Sequence, residues 1–205
     1  VKGKTTYKFW INLPEAEVLN SKPPILIFLH GKSLSGNDLN SVKKYGVIHE
    51  IEKGRKVPAI VIAPQVVSGS WDPDKILEVV QYVQANYETD LSRVYVCGMS
   101  LGGYGTMHFA GKYPNIVTAG VALCGGGNSS DACNLSSIPF WIQHGTADKA
   151  VPIKESRSMA SAIRNCSNGG SKLIYTEING ANHGALERIF RSDEMYDWLF
   201  DKIKN

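Results

Sequence analysis

Apolar residues along this chain follow two alternating patterns. Short apolar runs closed by Gly, Pro or Asn recur as "PPILIFLHG", "VPAIVIAPQ", "RVYVCG", "VTAGVALCGGG", "IPFWIQHG" and "SKLIYTEING". Continuous runs of this kind predict strands buried on both faces, whereas Thr5 to Leu13 alternates apolar with polar residues as a half-covered strand does. Between the runs, segments with helical spacing cover residues 37–53, 72–87, 101–112, 154–165 and 192–204. Asp72-Pro73 opens the second of these, with a capping carboxylate followed by proline at the first helical position. Strands alternating with helices predict an α/β chain, with a mainly parallel central sheet flanked by helices on both faces. The first two strands, separated by little more than Pro14, predict an antiparallel edge. Short connections predict no lid domain, and 205 residues fit one catalytic-sized domain over 1–205.

Composition changes this picture by exclusion. With 43% hydrophobic and 20% charged residues, the chain is an ordinary folding sequence rather than a disordered one. Its net charge of +3 comes with scattered lysines, so no basic stripe is offered to a nucleic acid. No apolar run reaches membrane-spanning length. The chain begins at Val1 without a methionine or a signal-like segment, which we read as a trimmed or processed form. Its four cysteines, Cys97, Cys124, Cys133 and Cys166, lack the spacing of a zinc site, so neither a metal nor another cofactor is expected.

In open α/β sheets the chemistry collects at the carboxyl ends of the strands. One such end carries "VYVCGMSLGGYGT", in which Ser100 stands among Gly98, Gly102 and Gly103. The spacing predicts a strand-to-helix turn so cramped that only glycine fits on either side of a strained serine. A serine hydroxyl is a poor nucleophile until a base takes its proton, and an imidazole is oriented for that task by a carboxylate. Asp148 follows a strand in "HGTADKAVP" and His183 follows the last strand in "NHG". The order is Ser100, Asp148, His183.

Rivals exist for each role. Asp131, Glu177 and Asp193 are the other candidate acids, although Asp131 and Asp193 have capping or solvent explanations. Among the histidines, His49 falls in a polar helix and His108 lies well inside the helix after Ser100. His30 and His144 precede glycines and are expected to brace their loops.

"Gly98-Met99-Ser100-Leu101-Gly102" matches the G-x-S-x-G nucleophile elbow, and with "LHG" at Leu29 to Gly31, "HGTADKAVP" and "NHG" the chain resembles the compact serine esterases of the α/β-hydrolase fold. The resemblance extends over nearly the whole chain. It points to the phospholipase/carboxylesterase and dienelactone hydrolase group and to the secreted feruloyl esterase/polyhydroxybutyrate depolymerase branch. It implies a carboxylic-ester hydrolase acting through an acyl-enzyme on small acyl or aromatic esters, among them polysaccharide-linked ones. A lysophospholipase, acyl-thioesterase or peptidase on the same three residues is the alternative, and a non-catalytic binding module is the alternative of another class. The partner is a small-molecule ester.

An attacked carbonyl becomes an oxyanion, and backbone N–H groups aimed at it contribute about 3–4 kcal/mol each. Leu101 offers one such donor and the turn after "FLHG" a second, at Lys32. Many relatives have a small or apolar residue and then glycine here, where this chain has Lys32-Ser33. Trp71 is a candidate aromatic wall for the substrate or else a staple on the following helix, and Tyr104 and Trp141 are expected in the core. Topology also predicts a disulfide. Cys133 leads into the strand "IPFWIQHG", and the helix after that strand runs back to Cys166, so the two thiols meet at the amino end of the sheet. Cys97 and Cys124 are expected to stay reduced. Such a bridge implies a secreted or periplasmic location, against a cytoplasmic one with four free thiols.

Overall fold

The computed structural model describes residues 4–204, so Val1 lies outside the described residues. Seven strands form one sheet: β1 (Phe9–Asn12), β2 (Ile25–Leu29), β3 (Ile60–Pro64), β4 (Val94–Met99), β5 (Ala119–Leu123), β6 (Phe140–Gly145) and β7 (Leu173–Ile178). Their order across the sheet is β1-β3-β2-β4-β5-β6-β7, with β1 antiparallel to β3 and every other pair parallel. The antiparallel edge is present, but its partner differs from the expectation. β1 pairs with β3, while β2, as apolar and as fully buried as β3, lies in the interior between β3 and β4.

Strand alternation builds two cores. Ile25, Ile27 and Leu29 of β2 join Ile60 and Ile62 of β3 on one face, whereas Leu26 and Phe28 join Val61 and Ala63 on the other. The first face is covered by α3 (Pro73–Asn86), α4 (Leu101–Lys112), α5 (Ala132–Leu135) and α6 (Lys154–Arg164). The second is covered by α2 (Gly46–Glu52), a 3-10 helix over His183–Arg191, and α7 (Asp193–Phe200). A short helix α1 (Ala16–Leu19) lies in the β1–β2 connection.

Asp72 caps α3 as its sequence predicts, its side chain accepting from Asp74 N–H at 2.9 Å with Pro73 at the start of the helix. The helix expected over residues 37–53 is instead a 3-10 segment, Leu39–Lys44, followed by α2. The break falls at Gly46, whose φ of +75° is costly for other residues and whose missing Cβ leaves room for the Phe28 ring. The last helix is likewise shorter than expected, ending at Phe200.

Cys133 and Cys166 are joined by a disulfide, with Cα atoms 5.3 Å apart, while Cys97 and Cys124 are free and buried. Among the described residues no helix is long and apolar enough to cross a membrane.

Candidate active site

Ser100 sits between β4 and α4 with φ 61° and ψ −121°, a conformation rarely tolerated outside glycine. The glycines around it explain how the turn closes. A Cβ on Gly98 or Gly102 would run into backbone, Gly102 meeting the Leu29 carbonyl of β2, and one on Gly103 would meet the Leu123 carbonyl of β5. Ser100 N–H donates to that same Leu123 carbonyl at 2.9 Å, which ties the turn to the neighbouring strand. The hydroxyl is thereby presented above the carboxyl edge of the sheet, at the N-terminus of α4.

Asp148 and His183 arrive from the ends of β6 and β7. His183 Nδ1–H donates to Asp148 Oδ2 at 2.7 Å, and the Asp148 side chain is fully shielded from solvent while that of His183 remains 27% exposed. The other carboxylate oxygen accepts from the N–H groups of Ala150 and Val151 at 2.8 and 2.9 Å. Burial acts to raise the Asp148 pKa, but the hydrogen bonds from His183, Val151 and Ala150 outweigh it and hold the carboxyl below its ordinary range. His144, expected only to brace a loop, also touches this group. Its Nε2 donates to the Val151 carbonyl at 3.0 Å and lies 3.3 Å from Asp148 Oδ2.

The competing acids are engaged elsewhere. Glu177 forms a two-pronged pair with Arg157 at 2.8 Å per contact, and those bonds bring its pKa down to about 2. Asp131 faces His108 at 3.1 Å, and Asp193 pairs with Arg55 at 2.8 Å. His49 points its Nδ1 at the Lys43 carbonyl.

Ser100 and His183 open into one cavity of about 700 Å³. Its walls are chiefly apolar, with Phe28, Leu34, Met99, Leu101, Val151 and Phe190 among them. Lys32 and Leu101 stand at the first positions of a 3-10 turn (Lys32–Leu34) and of α4, where backbone N–H groups have no helical acceptor. Neither N–H has an acceptor among the described residues.

Trp71 is not a wall of this cavity. It is 4% exposed, its ring meets Tyr7 and His30 edge-on, and its indole N–H donates to the His30 carbonyl at 3.2 Å. His30 in turn accepts from Val66 N–H and donates to the Gly31 carbonyl, so the group braces the end of β2 just before Lys32. The indole takes part in that packing and lines a second pocket, with Gly105 and His108, that shares the walls Leu101 and Tyr104 with the serine cavity. Trp141 is buried as expected, but Tyr104 is half-exposed and lines the cavity. One helical turn beyond Ser100, Tyr104 shares its face, a signal the sequence carries. Glu187, also on the wall, lay in a stretch with no recognised periodicity. It accepts from Gly46 N–H at 3.1 Å and from Arg191 at 3.0 Å.

The group Cys124, Asp148 and His183 has one potential ligand atom each within 4.8 Å of the others. The Asp148 carboxylate is already committed to three donors from His183, Ala150 and Val151, and Cys124 is wholly buried with burial driving its thiol pKa up to about 12.

The chain matches the prolyl oligopeptidase family over residues 67–130, the segment that contains the serine turn. It is 42% identical to a feruloyl esterase B of Neurospora crassa over 65 residues, 32% of this chain and 22% of that protein. It is 28% identical to a feruloyl esterase B of Thermothelomyces thermophilus over 159 residues, 66% of this chain and 50% of that protein. A solved thermostable esterase superposes with a TM-score of 0.79 at 25% identity, over 96% of this chain and 59% of the other. The chain thus spans only about one fifth and one half of these two curated relatives. Sheet order, serine turn and these likenesses agree: the chain has the α/β-hydrolase fold and is similar to esterases of that fold.

Proposed function

We propose that this chain is a serine carboxylic-ester hydrolase in which Ser100 is the nucleophile, His183 the general base and then acid, and Asp148 the group that orients the imidazole. The observation that carries the reading is the convergence of a strained serine and a carboxylate-held histidine on one cavity. Ser100 Oγ attacks the ester carbonyl while His183 Nε2 takes its proton, and the Nδ1–H bond to Asp148 stabilises the imidazolium. The N–H groups of Lys32 and Leu101 receive the oxyanion. Collapse expels the alcohol, which takes the proton from His183, and water repeats the sequence to release the acid and free Ser100.

The apolar cavity suits small acyl or aromatic esters, and the two relatives named as feruloyl esterases favour feruloyl esters among them. All of this chemistry falls within a single domain in our reading. The Cys133–Cys166 disulfide favours a secreted or periplasmic location.

A second reading, amide hydrolysis by the same residues, draws on the prolyl oligopeptidase match. Side-by-side rates on acetyl, feruloyl and long-chain esters and on a peptide anilide separate the two. Ester turnover lost in a folded Ser100→Ala variant is expected. Turnover of the anilide alone would favour the peptidase reading, and turnover of neither substrate class would overturn the assignment.

A further inference from the structure

The cavity that holds Ser100 has two charged residues on its wall, Lys32 and Glu187, and they are not equivalent. Glu187 is already compensated, its oxygens accepting from Gly46 N–H at 3.1 Å and from the Arg191 guanidinium at 3.0 Å, and its side chain is only 17% exposed. Lys32 is exposed, and no carboxylate pairs with it among the described residues. It follows directly on Gly31 at the end of β2, and the Trp71–His30 brace fixes the backbone from which its side chain leaves. An exposed lysine without an ion-pair partner therefore belongs to the wall of an apolar cavity, and it is the residue that in this reading also lends its N–H to the oxyanion. Lys149, exposed and likewise without an ion-pair partner among the described residues, immediately precedes the wall residues Ala150 and Val151. Besides Glu187, Glu155 lies near the wall residue Tyr104, its Cβ facing Gly126.

Resting on the ester-hydrolase reading above, we propose that Lys32 is a specificity-determining residue, selecting esters whose solvent-facing half carries an anionic group such as a carboxylate. A charge on an exposed wall residue acts through a wet, high-dielectric path, so its effect is a modest preference that salt screens. Because Lys32 also supplies a backbone donor, the informative quantity is a ratio of substrates rather than any single rate. The interaction is with the substrate's charge in ground state and transition state alike, so it changes KM more than kcat.

The test uses two pairs of near-isosteric esters, 3-acetoxybenzoate with 3-acetoxybenzamide, and phenyl 4-carboxybenzoate with phenyl 4-carbamoylbenzoate. They place the anion on the alcohol and the acyl half respectively. In at least one pair, Lys32→Ala should lower the anionic-to-neutral ratio of kcat/KM by about fourfold and Lys32→Glu by on the order of tenfold or more, while Lys32→Arg keeps it. Raising the salt from about 0.05 to 0.5 M should lower the same ratio for the unaltered protein. Ratios in both pairs that ignore charge reversal and salt, with neutral esters still turned over, would overturn this inference alone. No turnover of any of the four esters by the folded protein would overturn the hydrolase reading and this inference with it.

Discussion

His183 Nδ1 lies 2.7 Å from Asp148 Oδ2, and the same carboxylate is held on its other oxygen by two backbone N–H groups of the following turn. The carboxylate is thus held in place by the backbone, and the imidazole is held through it. Asp148→Asn puts an amide where Nδ1–H needs an acceptor and favours the wrong tautomer, with an expected loss in kcat on the order of 10³–10⁴-fold. Steady-state kinetics on a small ester checks it. Because the native carboxyl titrates below its ordinary value of 3.8, its contribution to stability is present above about pH 4 and is lost as pH falls through the lower native value. The stability gap between the native protein and Asp148→Asn should therefore narrow below about pH 4 in urea titrations.

Glu177 provides the contrast. Its carboxylate is committed to Arg157 on the surface, with the two side chains 32% and 55% exposed, so Glu177→Gln should leave ester turnover within about twofold and shift the melting temperature by no more than a few degrees. A loss comparable with that of Asp148→Asn would move the orienting role to Glu177.

Gly102 tests the turn itself. A methyl group there meets the Leu29 carbonyl, so Gly102→Ala has to push β2 away from α4 or displace the serine turn. The expected cost is about 3 kcal/mol of stability, read from urea unfolding, together with reduced turnover.

The disulfide closes a loop between residues 33 apart in sequence, and reducing it should cost about 3–4 kcal/mol. Alkylation of the denatured, unreduced protein should modify Cys97 and Cys124 alone, and four modified cysteines would contradict the bridge.

Much of this architecture is legible in the sequence because buried parallel strands leave continuous apolar runs. The runs that became β2 through β6 are closed by the residues that end them, and Asp72-Pro73 marks the start of α3. The pairing of β1 is not legible, since nothing local distinguishes β2 from β3 as its neighbour. That choice belongs to the order of the whole sheet. Three-residue periodicity hid the helix over His183–Arg191, and with it Glu187 and Phe190 on the cavity wall. Trp71 shows the limit from the other side, because an aromatic residue beside a strand end reads equally as a substrate wall or as a staple on the following helix, and its contact with His30 appears only in the tertiary fold.

The central claim is that Ser100 is a nucleophile activated by its surroundings. Incubating the folded protein with a fluorophosphonate and measuring the intact mass tests it directly. One adduct per chain, mapped to the peptide bearing Ser100, absent from Ser100→Ala and slowed on the order of 10³-fold or more in a folded His183→Ala variant, is the predicted result. A folded protein that takes up no label at Ser100, or that labels equally well without His183, would contradict it.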